Sequence, residues 1–181
     1  MLKTKSELMD EAAVRRTLAR MSHEIIEKNK GAERICLVGI KRRGVPIARI
    51  LAENILKFEG TDVPVGTVDV TLYRDDLTEK TPLPRASGIE IPVDVAQHTV
   101  ILVDDVIYTG RTARAAIEAV FSLGRPSVIQ FAALIDRGHR ELPIRPDFVG
   151  KNIPTAHSEI VSVMMNEFDG MTAVRILEKE N

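Results

Sequence analysis

The sequence holds a single cysteine, Cys36, no tryptophan, two tyrosines and five phenylalanines. One cysteine excludes an internal disulfide framework and a multi-cysteine metal centre. Excess charge of one sign is also missing, because 25 Lys+Arg stand against 26 Asp+Glu. That balance argues against a protein that coats nucleic acid indiscriminately, while leaving room for a local basic face. No stretch nears the roughly 20 consecutive apolar residues needed to span a bilayer. The opening Met1-Leu2-Lys3-Thr4-Lys5-Ser6-Glu7 carries no apolar stretch of the signal-peptide kind. The expectation is a soluble chain without membrane contact in a reducing compartment, most simply the cytoplasm. Two phosphate motifs are absent as well: Gly-x-x-x-x-Gly-Lys-Ser/Thr and Gly-x-Gly-x-x-Gly.

What is present fits a folded chain. Hydrophobic residues make up 44% of 181, enough apolar surface to offset ordering entropy, so general disorder is excluded. The length fits one domain, residues 1–181. Residues 10–30 read as a helix with Asp10 as N-cap and Gly31 as the stop. Val14, Leu18, Met21 and Ile25 form one apolar stripe along it. Ile35 to Ile40 is a short continuous apolar run, as in a strand buried on both faces. A loop, Lys41-Arg42-Arg43-Gly44, leads to a helix from Val45 to Phe58 with Pro46 in its first turn. Strands are expected over Val63–Tyr73, Thr99–Val103 and Val128–Ile135, with a helix from Arg111 to Leu123. Strands alternating with helices point to a doubly wound α/β fold with a mostly parallel sheet. Ile160–Met165 and Ala173–Leu177 flank Asp169-Gly170 and predict a carboxy-terminal hairpin. Two connections, about 74–92 and 137–157, are too long to be mere links and are candidates for substrate contact.

The informative stretch runs from Val100 to Thr112. Four apolar residues end at two carboxylates, Asp104 and Asp105. A buried strand cannot hold unpaired carboxylates cheaply, so these are expected at its end, facing solvent or ligand. In doubly wound sheets ligands bind outside the carboxyl ends of the strands. Val106, Ile107 and Tyr108 then lead to Thr109-Gly110-Arg111-Thr112, which enters the next helix. Free backbone N–H groups and the helix dipole there favour an anion, and two hydroxyls and a glycine suit a phosphate. The neighbouring carboxylates suit sugar hydroxyls, or a magnesium ion carried by the ligand. Together these parts point to a phosphorylated sugar.

These thirteen residues resemble the phosphoribosyl pyrophosphate (PRPP) signature of type I phosphoribosyltransferases. Two further segments, Leu72-Tyr73-Arg74-Asp75-Asp76-Leu77 and Asp136 to Arg145, narrow the resemblance to the PyrR family of bacteria. Its members are pyrimidine operon attenuation regulators that also act as uracil phosphoribosyltransferases. The resemblance runs from about Asp10 to the end of the chain. It implies a type I phosphoribosyltransferase fold with a small hood at about 137–157 and a mobile loop at about 74–92. It further implies that Asp104 and Asp105 hold the ribose hydroxyls and that Thr109, Gly110, Arg111 and Thr112 cradle the 5′-phosphate. Lys41, Arg42, Arg43 and Gly44 resemble the pyrophosphate loop; otherwise they are a solvated basic turn. Arg74 and Arg85 of the mobile loop are available for pyrophosphate. Magnesium would arrive with PRPP beside Asp104 and Asp105.

In the hood, Pro146 to Gly150 resembles a base-recognition stretch. Phe148 would stack on the base and the Val149 backbone would read its edge; the alternative is a core phenylalanine. Asp136, with Arg137 after it, offers a carboxylate acceptor where a purine enzyme of this class has a lysine, which fits the N3–H of uracil.

A second surface is basic. Arg16, Arg20 and His23 fall within about 60° of one another on the first helix, nearly opposite its apolar stripe. Arg137, His139, Arg140, Arg145 and Lys151 form another basic group in the hood. Such stripes are usually solvated faces. The family resemblance instead implies binding of a leader mRNA stem-loop, with Arg20, His23, His139, Arg140, Arg145 and Lys151 at matching positions. Ala19 departs from the threonine of some relatives. The implied ligands are PRPP, uracil and UMP or UTP, and the implied assembly is a homodimer or homotetramer. Two alternatives stay open: a purine phosphoribosyltransferase, or a nucleotide-sensing RNA-binding regulator without significant turnover.

Overall fold

The computed structural model describes residues 2–70 and 88–179. In chain order the elements are β1 (Leu2–Met9), α1 (Glu11–Asn29), β2 (Ile35–Ile40), α2 (Gly44–Glu59), β3 (Val65–Val68) and β4 (Ile89–Glu90). They continue with β5 (Thr99–Ile107), α3 (Arg111–Phe121), β6 (Val128–Asp136), β7 (Phe148–Asn152), β8 (Ile160–Met164), α4 (Asn166–Asp169) and β9 (Ala173–Lys179). Six strands form one sheet in the order β4-β3-β2-β5-β6-β7, parallel except for the antiparallel edge strand β4. A second, antiparallel sheet has the order β1-β9-β8. This is the α/β fold that the alternation of strands and helices predicts.

The sheet is buried on both faces because its central strands are apolar without interruption. Along β2, Ile35 and Leu37 belong to the core under α1 and α2, while Cys36, Val38 and Ile40 belong to the core under α3. Along β5, Ile101 and Val103 face the first core, and Val100 and Leu102 the second. Successive side chains of a strand point to opposite faces, so one continuous apolar run supplies two cores. Burial pushes the Cys36 thiol up to about 11, which marks a core residue rather than a nucleophile.

Helix α1 begins where expected: the Asp10 carboxylate accepts from the Ala13 N–H at 2.7 Å, the bond that makes aspartate a good N-cap. Val14, Leu18, Met21 and Ile25 are all buried. The helix closes through Lys30 in the left-handed region, one residue before the expected glycine.

Three expectations need correction. Residues 2–9 form an edge strand, β1, where no element is predicted; Leu2-Lys3-Thr4-Lys5 is exposed, so no apolar alternation marks it. The hood segment is not all loop, since β7 lies within it and pairs with β6. Within the expected connection 74–92, Ile89 and Glu90 pair with β3. Arg74, Arg85 and the end of the strand expected over Val63–Tyr73 lie outside the described residues. Among the described residues no helix is long and apolar enough to cross a membrane.

Candidate active site

Strand β5 carries the two acids inside its ladder rather than past its end. Its pairing with β6 continues to Ile107↔Asp136, whereas its pairing with β2 stops at Gly39↔Val103. From Asp104 onward one edge of β5 therefore faces a gap instead of a partner strand. The apolar run stops where β2 does, and that is why sequence reasoning ends the strand too early.

The gap is a cleft of about 350 Å³, large enough for a small phosphorylated ligand. Lys41, Arg42 and Arg43 line one side; Asp104, Asp105, Val106, Ile107, Tyr108, Thr109, Gly110 and Thr112 line the other. The fold thus brings together the two segments that the sequence singles out. Asp104 is 7% exposed, and Asp105 is half-buried. Each carboxylate has one oxygen oriented by the next amide: Asp104 Oδ1 accepts from Asp105 N–H, and Asp105 Oδ1 from Val106 N–H, both at 2.9 Å.

Gly110 sits in the left-handed region at φ +95° and starts α3 without a side-chain cap. The first-turn N–H groups of that helix lie where an anion is favoured. Thr109 is buried and accepts from Arg111 N–H at 3.3 Å. The Arg111 side chain is not part of the lining; it reaches Glu141 at 2.6 Å on the surface.

Loop 41–44 is held by a close backbone approach. A Cβ on Gly44 would sit 2.2 Å from the Val103 carbonyl oxygen, and one on Gly39 would sit 2.5 Å from Val45 Cα. Only glycine lets the start of α2 lie against β5 so closely. The Lys41–Arg42 peptide is cis.

Tyr108 is where the motif meets the hood. The Arg137 guanidinium lies 4.1 Å from its ring centroid, the His139 ring stands edge-on at 5.9 Å, and its carbonyl accepts from Arg140 Nη1 at 2.9 Å. Arg137 is 8% exposed, lines the cleft and donates to Thr155 Oγ1 at 3.2 Å and the Ala156 carbonyl at 3.3 Å.

The structure gives Asp136 a different role from the expected base acceptor. One oxygen accepts from Arg140 and the other from Gly138 N–H, so it braces the turn into the hood. Arg140 is correspondingly tied to Asp136, the Tyr108 carbonyl and the Ile144 carbonyl.

Phe148 does not stack on a base. It is 2% exposed, packs in the core under α1 and α2, and lies 5.5 Å from Lys28 Nζ. The preceding Asp147 explains the motif: its N–H donates to the Phe131 carbonyl, and its carboxylate accepts from Phe131 N–H and Lys28. Pro146 to Gly150 is therefore a joint that docks edge strand β7. The Val149 carbonyl takes the Arg20 guanidinium at 3.2 Å. Phe148→Leu removes three buried ring carbons and leaves a cavity, so it should cost about 2–3 kcal/mol. A melting curve should show that loss while the KM for a base substrate stays within twofold.

Cleft-lining residues that sequence reasoning missed are Ile40, Val70, Ala113, Phe131 and Val161. Val161 comes from β8, in the second sheet, and a lone valine in a hairpin carries no sequence signal.

The basic residues are partly brought together. Arg20 donates to the carbonyls of Val149 and Gly150, which sets the α1 stripe beside Lys151. Gly150 permits this contact, because a Cβ there would meet Thr17 Cγ2 at 2.9 Å and the Leu134 carbonyl at 2.3 Å. His23 stacks on Phe58 at 4.1 Å. Arg16, Arg145 and Lys151 are exposed. His139 is half-buried, with Nε2 2.6 Å from the Thr155 carbonyl.

Among the described residues no group of three or more His, Cys, Asp or Glu side chains could hold a metal ion. Asp104 and Asp105 are two carboxylates beside a basic loop. That donor set fits magnesium arriving with a polyphosphate, which supplies the remaining ligands with water.

Comparisons agree with this geometry. The phosphoribosyl transferase domain family matches residues 5–167. The chain is 61% identical over 175 residues to the "Bifunctional protein PyrR" of Clostridium novyi (strain NT), covering 97% of this chain and 98% of that protein. It is 57% identical over 178 residues to the same-named protein of Thermoanaerobacter sp. (strain X514), covering 98% and 100%. Among solved structures, it is similar to a hypoxanthine phosphoribosyltransferase from Trypanosoma cruzi in complex with the product IMP. That likeness has a TM-score of 0.75 and 19% identity over 98% of this chain and 92% of the other, and it speaks for the fold alone.

Proposed function

The chain belongs to the PyrR family of phosphoribosyl transferase domain proteins, and on that premise we propose how its site serves the two activities of a bifunctional member. The enzymatic activity is uracil phosphoribosyltransferase: uracil and PRPP give UMP and pyrophosphate. The regulatory activity is nucleotide-dependent binding of a leader RNA in pyrimidine operons. One observation carries the reading. Two acids, the start of α3 and a basic loop converge on a single cleft at the open edge of β5.

In this arrangement Asp104 and Asp105 accept from the ribose hydroxyls. Thr109, Gly110, Arg111 and Thr112 offer backbone N–H groups, with the Thr hydroxyls, to the 5′-phosphate. Lys41, Arg42 and Arg43 face the diphosphate. The C1–O bond to pyrophosphate breaks as the bond from C1 to uracil N1 forms, and the N1 proton is lost. The developing oxocarbenium charge at ribose is favoured by the two carboxylates, and orientation of both substrates supplies much of the rate. Bound with PRPP, magnesium supplies charge neutralisation of the departing diphosphate.

The base lies at the hood side of the cleft, among Val106, Tyr108, Arg137 and Val161, in place of the Phe148 stacking contact. For RNA, α1 and β7 form one continuous strip: Arg16, Arg20 and Lys151, with Arg145 beyond them. Basic side chains supply the salt-dependent part of such binding. Arg140 contributes by holding the hood, since its guanidinium is engaged internally.

Nucleotide and RNA binding are linked reciprocally, so UMP and RNA strengthen each other's affinity by one factor. Gel-shift titration of a pyrimidine-operon leader stem-loop with and without UMP tests this. Tighter RNA binding with UMP is expected; an affinity indifferent to UMP would contradict it.

A further inference from the structure

Three consecutive residues of α4 grip three arginines of loop 41–44 and the helix behind it. Glu167 pairs with Arg49 at 3.3 Å, the Phe168 ring centroid lies 4.3 Å from the Arg42 guanidinium, and Asp169 takes Arg43 Nη2 on both oxygens at 2.9 and 3.2 Å. The contacts are not equivalent. The Arg49–Glu167 pair is about half exposed on both sides and is worth little in water. The Arg43–Asp169 pair is less exposed, and Asp169 is itself anchored.

That anchor is Met165, a core residue only 2% exposed, whose N–H donates to Asp169 Oδ2 at 2.8 Å. Burial alone would raise the Asp169 carboxyl, but the Met165 amide and the Arg43 guanidinium together hold it below its ordinary value. The carboxylate is thus a fixed, charged point on the carboxy-terminal hairpin. Arg43, at its other side, lines the cleft with Asp104 and Thr109, and its Nε is buried without a hydrogen-bond partner. The guanidinium is held at one nitrogen and has donors in reserve.

We infer that Asp169 is a positioning residue for the pyrophosphate end of the cleft, fixing Arg43 so that loop 41–44 is ordered before PRPP arrives. This rests on the PRPP reading given above. Without the carboxylate, Arg43 would sample several rotamers, and PRPP would have to order it on binding. Immobilising one such side chain corresponds to a weakening of about threefold to tenfold.

Asp169→Asn keeps an acceptor for Met165 N–H and removes the charge that holds Arg43. The expected result is a PRPP KM raised about threefold to tenfold, with product inhibition by pyrophosphate weakened by the same factor. The kcat and the affinity for UMP, which has no diphosphate, should stay within about twofold of wild type. Asp169→Glu keeps the charge but moves it by one methylene, and should show the same selective pattern to a smaller degree. It also serves if the asparagine variant does not fold.

Unchanged or tighter PRPP and pyrophosphate binding in the variants would overturn the inference. So would equal weakening of PRPP and UMP, which marks a general structural defect. Failure of the wild-type protein to use PRPP, or to be inhibited by pyrophosphate, would instead remove the reading on which the inference rests.

Discussion

Replacing Asp104 and Asp105 together by asparagine is expected to lower kcat/KM for PRPP by roughly 10²- to 10⁴-fold. Hydrogen bonds to a charged partner contribute about 1.5–3 kcal/mol each, and neighbouring sites couple, so the range is wide. The fold should survive. An asparagine side chain still offers an acceptor to the amides that now bond Asp104 Oδ1 and Asp105 Oδ1, and it relieves two adjacent negative charges. UMP binding should weaken too, because the ribose hydroxyls are common to substrate and product. Steady-state kinetics with a melting curve separate the outcomes. A near-native melting temperature with kcat/KM within twofold of wild type would remove the acids from the ribose site.

The second large effect is expected at Gly44. An alanine Cβ would lie 2.2 Å from the Val103 carbonyl oxygen and 3.1 Å from its carbon. Both are backbone atoms of β5, and Val103 is the last residue paired with β2, so neither can move without disturbing the ladder. Gly44→Ala therefore has to displace loop 41–44 or the start of α2. Overpacking of this kind costs about 1–3 kcal/mol, or roughly 2–4 °C in Tm for each kcal/mol at this chain length. The PRPP KM should rise more than tenfold, because the loop that faces the diphosphate is what moves. Native Tm together with native PRPP KM would show that the approach of α2 to β5 is looser than described. Phe148→Leu makes the useful contrast, losing stability without losing the site.

Legibility followed range. Features set within one turn or one strand were readable: the Asp10 cap, the stripe Val14-Leu18-Met21-Ile25 and the two-faced burial of β2. The motif from Asp104 to Thr112 was readable as chemistry because acids, glycine and hydroxyls cannot be explained by packing alone. What failed depended on partners far along the chain. Strand β1 has no apolar face to announce it and exists because β9 pairs with it. Strand β5 outlasts its apolar run because β6 continues beside it after β2 has stopped.

Of the two readings open for Phe148, base contact or core, a distant partner decides for the core. Its short motif matches a base-binding pattern locally, yet the register Ala132↔Phe148 turns the ring into the core. Val161 reaches the cleft only because the second sheet folds back against it. Asp136 braces the turn into the hood because Arg140 and Gly138 lie close enough to engage both its oxygens, which no count of charges discloses.

The most direct measurement is pyrophosphate release from PRPP and magnesium, with uracil, hypoxanthine, guanine and adenine each offered alone. Turnover is expected with uracil and not with any of the three purines. Turnover with a purine would keep the PRPP cleft and overturn the base assignment. No release with any base, from protein that still binds UMP, would contradict the enzymatic half and leave a regulator that senses nucleotides.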